Sequence, residues 1–462
     1  MSAKRDPVHV EPNVTEQDQI MREHAGSMLR KWEEHEPVAP FEDVWDRYLS
    51  AAERNRRKQQ IRNKWRAAAA SFLVLVLLGG GVLFSSPEVR AALSRFPFMK
   101  MLLAGGGFEQ QGLSKIEQEG LGVHLNTSVI DRNIRFTMDE VFYDGVQIVL
   151  NYDVEYLDKN KKIGEKDVAV YYDLHFDGAE PTAMSTHKFT KLSDHAFIGS
   201  TLIDAYQYLD GYKLRMNISQ IGQVKGDWSV TVPLSVSKTN PGTKVFFPGK
   251  TVEVNGKKRT IERITFTPVS TQIAIRTSEY REHEISYRLR DDLQTDFAMS
   301  GGMGGEYEII RNFGPASAIN PHPKYVEVLF DDPSKKAENF IQREEQAPLN
   351  ESFPITLKGR NGGKVTVTRV DYKEEGAILT YEASDADNQC PTLLLIDSKE
   401  KEHFRIGQPV RISKERFEFQ MTFPKLESGS LKQIKMISYD DKPGYKPKPP
   451  TTIRVPLDWS KP

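Results

Sequence analysis

A chain of 462 residues is long enough for about three domains of roughly 150 residues, each able to bury its own core. Its 38% hydrophobic and 27% charged residues, with a net charge of -1, exclude a disordered polyelectrolyte, a collagen and a many-span membrane protein. Near neutrality also argues against nucleic acid as a direct partner, because duplex binding draws on a surplus of Lys and Arg. The single Cys390 excludes an internal disulfide and any zinc site with two thiolates from this chain.

Residues 1–53 hold 6 Lys or Arg against 12 Asp or Glu. Within them, Thr15 followed by Glu16 and Asp18 resembles a helix start, and Met21, Ala25, Met28, Leu29 and Trp32 then recur at three- and four-residue spacing along one face. Pro40 opens a second helix in which Phe41, Val44, Trp45, Tyr48 and Leu49 repeat the pattern, with Glu42, Asp43 and Asp46 opposite. This is more apolar surface than a roughly 50-residue segment buries by itself. The helices either pack on each other, lie on a membrane, or seat in the groove of a protein. Membrane-surface helices are usually basic and this segment is acidic, which favours a protein partner bound through Met21, Met28, Leu29, Trp32, Phe41, Val44, Trp45 and Tyr48.

Residues 54–66 carry seven Lys or Arg and no acid, and residues 67–87 carry no charge at all. As a helix these 21 residues span about 30 Å at 1.5 Å each, enough for a bilayer core. The run begins too far into the chain for a cleavable signal peptide. The basic collar predicts a cytoplasmic N-terminus and places residues from about 88 onward outside the cell.

Beyond the span, Val89, Leu93, Phe96, Met99 and Leu103 predict a helix that Gly105-Gly106-Gly107 ends. The pattern then turns to period two. Val123 to Ile130 and Ile134 to Tyr156 read as strands, with Asp144-Gly145 as a hairpin turn. The segment Thr137 to Gly145 is echoed from Thr260 and again from Thr366, and the ending Trp228 to Leu234 is echoed by Thr452 to Leu457. Repeats of this length are domains, not solenoid turns. The fold class expected is mainly β: a helical segment over 1–66, one transmembrane helix over 67–87, then three Ig-like β-sandwich modules over 88–240, 241–350 and 351–462.

Within the modules, Ser300-Gly301-Gly302-Met303-Gly304-Gly305 reads as a linker-like surface loop, because it lacks the Lys-Ser or Lys-Thr of a phosphate-binding loop. The segment Lys442 to Pro450, rich in Pro and Lys, reads as a stiff solvated loop. Ten scattered His form no metal motif, no nucleophile elbow is present, and Cys390 at the edge of Leu393 to Ile396 reads as a buried or inert thiol. Neither an enzyme, a cofactor nor a metal site is expected.

Ser86 to Pro97, Gly122 to Ile130, Phe136 to Gly145, Phe247-Pro248-Gly249-Lys250 and Ile261 to Ile275 together resemble a family of single-pass membrane proteins of spore-forming Gram-positive bacteria. The outer domains of that family have no assigned function, and its genes usually sit beside one for an extracytoplasmic-function sigma factor. The resemblance covers roughly residues 85–350 and implies an anti-sigma role. In that role the cytoplasmic helices hold a sigma factor and the outer modules sense an envelope ligand or answer to a regulating protease. The His and Cys-x-x-Cys signature of zinc-binding anti-sigma proteins is absent, since no Cys precedes Cys390. The alternative is a cell-surface protein that binds wall polymer or a neighbouring protein.

Overall fold

The computed structural model describes residues 110–177, 185–205, 211–278, 286–305, 307–331, 337–349, 353–373, 376–426 and 429–460. All of them belong to the unit Ser85–Pro462. The predicted helices of 1–66, the apolar run of 67–87 and the helix of 88–103 lie outside the described residues. Among the described residues no helix is long and apolar enough to cross a membrane.

The described chain is mainly β, in three sandwiches. In the first, β1 (Val123–Asp131), β2 (Ile134–Tyr143) and β3 (Gln147–Tyr156) form the expected meander. The sheet continues through β6 (Ala196–Asp204) to β5 (Ser185–Lys191). It faces β4 (Val170–Phe176), β7 (Tyr212–Ile221) and β8 (Val224–Leu234). Alternation along β8 turns Trp228, Val230, Val232 and Leu234 inward, and the fully buried Trp228 donates its Nε1 proton to the Ile134 carbonyl at 2.9 Å, which satisfies its one polar atom.

The second sandwich repeats this order with β10 (Lys250–Val254), β11 (Lys257–Phe266), β12 (Thr271–Thr277), β15 (Glu308–Phe313) and β14 (Met299–Gly304), while β9 (Lys244–Phe246) also pairs with β11. The third repeats it with β18 (Ile355–Lys358), β19 (Lys364–Tyr372), β20 (Ala377–Ala383), β24 (Glu418–Phe423) and β23 (Ile406–Arg411). The repeat extends to irregularities. The second strand of each sheet carries a bulge at the same place, between Met138 and Glu140, Ile261 and Arg263, and Val367 and Arg369.

The opposing sheets are built by exchange. In the first sandwich β8 follows β7 in the chain and pairs with it. In the second, β13 (Tyr287–Asp291) and β16 (Tyr325–Phe330) are joined not by the next strand but by β26 (Thr451–Pro456), the last of the chain. The strand after β16, β17 (Phe340–Pro348), crosses to the third sandwich and pairs with β25 (Leu431–Asp441), beside β21 (Thr392–Asp397) and β22 (Glu402–Phe404). The final strand therefore completes the second sandwich, whereas the sequence reading gives it to the third. The two strands differ in pattern. β17 reads Gln342-Arg343-Glu344-Glu345-Gln346 and offers no apolar face. β26 and its tail put Ile453, Val455, Leu457 and Trp459 into the second core, where Trp459 donates to the Pro323 carbonyl at 2.8 Å.

Two local expectations are corrected. The Gly-rich stretch 300–305 is mostly an edge strand, β14, and not a free loop. At Gly301 a Cβ would fall 2.6 Å from the Asp204 carboxylate of the first sandwich, so glycine permits that close approach. Cys390 is exposed, not buried, and its Sγ accepts a hydrogen bond from Arg405 Nη1 at 3.1 Å. The stretch from Lys442 to Pro450 has no regular structure beyond a turn and carries the chain from the third sandwich back to the second.

Candidate functional site

The eight residues expected to bind a partner, Met21, Met28, Leu29, Trp32, Phe41, Val44, Trp45 and Tyr48, lie outside the described residues. Inside them, buried polar chemistry concentrates at the joint between the first and second sandwiches and on the adjoining outer face of the first.

The joint is made by two hairpin turns of equal length, Tyr143–Ile148 and Phe266–Thr271. Asp144 Oδ1 accepts the backbone N–H groups of Val146 at 2.9 Å and Gln147 at 2.7 Å, which shapes its own turn. Its Oδ2 accepts the hydroxyls of Thr267 at 2.6 Å and Ser270 at 2.7 Å from the second sandwich. Thr267 Oγ1 in turn accepts the Val269 and Ser270 N–H groups, so each turn is closed by its first side chain and the two side chains then join. Burial pushes the Asp144 carboxyl above the usual carboxylate range, and its four hydrogen bonds offset only part of that shift. Alongside, Gln272 Nε2 donates to the Ala205 carbonyl at 3.2 Å and to Asn312 Oδ1 at 3.0 Å.

Over this joint lies α1 (Gln110–Gln118), a helix the sequence reading does not contain. Leu113 and Ile116 pack with Leu121, with Phe142, Val149 and Leu202 of the first sandwich, and with Val269 of the second. Lys238, in the connection between these sandwiches, donates its Nζ protons to the carbonyls of Gly120 and Gly122. α1 also lies beside β23 of the third sandwich.

β3 is buried on both faces, where strict alternation would expose one. On the outer face lie Asp139 and Asp153, whose carboxyls are both shifted toward the uncharged form. Burial pushes both carboxyls well above their ordinary range, and the charge of Asp153 adds to the effect on Asp139. Nearby, Arg135 Nη1 donates to Glu155 Oε2 at 2.5 Å, and Asn151 Nδ2 donates to Glu140 Oε2 at 3.1 Å. Among the described residues no group of three or more His, Cys, Asp or Glu is arranged to hold a metal ion.

The second joint is also polar. Arg411 of β23 donates to the Leu293 carbonyl and, at 2.9 Å, to Thr295 Oγ1, while Gln389 Oε1 accepts the Asp296 N–H at 3.0 Å. These donors and acceptors pair with one another across the joints, which is the chemistry of fasteners, while Thr271 Oγ1 beside the first joint is buried without a hydrogen-bond partner. Sequence reasoning identifies Asp144 only as a turn residue. Its alignment with Thr267 in the repeat was the available signal that the two turns could meet.

The fold thus defines a protein of three fused β-sandwiches. Residues 57–156 match a domain of unknown function, DUF4179, and residues 243–357 match a second family of unknown function, DUF5643. No curated protein matches the chain. One similar solved structure is the crystal structure of a conserved domain protein from Bacillus anthracis, at 15% identity and a TM-score of 0.39, covering 76% of this chain and 95% of that one.

Proposed function

We propose that this chain is a membrane-tethered regulator of the anti-sigma type. Residues 67–87 cross the membrane, residues 1–66 hold a sigma factor on the cytoplasmic side, and the three sandwiches stand outside. The observation that carries this reading is the order of charge and hydropathy: two acidic amphipathic segments, a collar of seven positive charges, then 21 uncharged residues. The DUF4179 match supports the layout of this reading, because its bounds, residues 57–156, take in most of the collar, the apolar stretch and β1 to β3 as one domain.

The test is co-purification of the full chain in detergent with the extracytoplasmic-function sigma factor encoded beside it. Trp32→Ala and Trp45→Ala, as truncations of buried aromatic anchors, should each cost about 2 kcal/mol of binding, roughly thirtyfold in Kd. Absence of binding, or binding that neither substitution weakens, would refute the reading. Deletion of residues 1–53 separates it from the adhesive alternative, since a surface binder keeps its attachment phenotype without them.

A further inference from the structure

We propose that α1 is the keystone of the joint between the first and second sandwiches: it stays helical only while those two sandwiches keep their mutual placement. Three observations converge. First, Leu113 and Ile116 of α1 are each 2% exposed, and helical stability in proteins comes mostly from packing such an apolar face, so the helicity of α1 depends on what it docks against. Second, that dock is composite. Phe142, Val149 and Leu202 come from the first sandwich and Val269 from the turn of the second, while Lys238 holds the segment just after the helix from the connection between them. Third, the fit leaves no slack, because a Cβ on Gly112 would fall 1.9 Å from the Val269 carbonyl oxygen. Val269 lies between Thr267 and Ser270, the two residues whose hydroxyls bind Asp144, so the turn that supports α1 is the turn that closes the joint.

Coupling of this kind is reciprocal: if the joint holds the helix, the helix holds the joint by the same factor. That the coupling serves transcriptional regulation rests on the reading above, but the coupling itself does not.

The experiment is hydrogen exchange on the full-length protein. The double substitution Thr267→Val and Ser270→Ala, which alters no side chain of α1, should speed exchange of the α1 amides at least tenfold. Gly112→Leu, which pushes the helix off Val269, should speed exchange of the Val146 and Gln147 amides while the amides of β7 and β8 keep their protection. Lys238→Met should loosen α1 and the Val146 and Gln147 amides together, at smaller amplitude. An α1 that stays protected when the joint is broken, or joint amides that stay protected in both Gly112→Leu and Lys238→Met, would overturn the proposal. No cytoplasmic partner takes part in these measurements, so a failed sigma-factor experiment leaves them informative, and the reverse.

Discussion

Asp144 of the first sandwich accepts a 2.6 Å hydrogen bond from Thr267 of the second, and the two residues hold the same position in successive copies of one hairpin. The joint is therefore a repeat meeting itself. Each turn has a side-chain acceptor at its first residue, and a carboxylate in one copy with a hydroxyl in the other makes a complementary pair. Thr267→Val removes a donor from a buried carboxylate and an acceptor from its own turn, and should cost about 2–3 kcal/mol in urea unfolding. Thr267→Ser should cost less than half of that. No loss for Val, or a larger loss for Ser than for Val, would mean that the methyl packing of Thr267 matters and its hydroxyl does not.

Asp139 and Asp153 set a pH dependence with a definite sign. Both carboxyls titrate higher in the folded chain than in the unfolded one, so the folded state binds more protons through the range above about pH 4. Their contribution is fully present below the unfolded value and is lost as pH rises through the folded values. Asp153→Asn removes one of these protonations. Its stability relative to the parent should rise between pH 5 and pH 8, by about 1.4 kcal/mol for each pH unit in which only the unfolded carboxylate is ionised. Parallel stability curves for the two proteins would contradict the assignment.

The exchanged strand makes the second sandwich dependent on residues more than a hundred positions downstream. Val455 is 1% exposed in the second core, and Arg454 Nη2 donates to Glu327 Oε1 of β16 at 2.8 Å. Val455→Asp places an unpaired carboxylate there and should destabilise by about 3 kcal/mol or more. Native-state hydrogen exchange should show β13 and β16 losing protection before β21 and β25. Loss that begins in β25, the neighbour in sequence, would show that the strand serves the third sandwich instead.

Much of the first sandwich was legible in the sequence, because its strands alternate and its turns carry Asp-Gly or Gly residues. β1 to β3 fall within one or two residues of the expected strands. The repeat was legible for the same reason, and the shared bulges at Asp139, Glu262 and Thr368 confirm it at single-residue level. The likeness of Thr452 to Leu457 to the end of the first module was a true signal of equivalence. Its partner was not legible, since periodicity tells which face of a strand is buried and not which sheet receives it. Nor were α1 and the buried Asp153. α1 is too weakly patterned to stand out, and the burial of a carboxylate is decided by what covers the sheet. Glycines at 301–305 looked like freedom, whereas at Gly301 glycine is the residue that lets Asp204 approach.

The side of a membrane on which the sandwiches lie can be read from the one thiol of the chain. Cys390 is exposed on the third sandwich, so a membrane-impermeant maleimide reports on which side that sandwich lies. The reading proposed above predicts labelling of the full-length protein in intact protoplasts, at the level reached after detergent lysis, and none in Cys390→Ser. Labelling only after lysis would put the sandwiches in the cytoplasm and contradict the account.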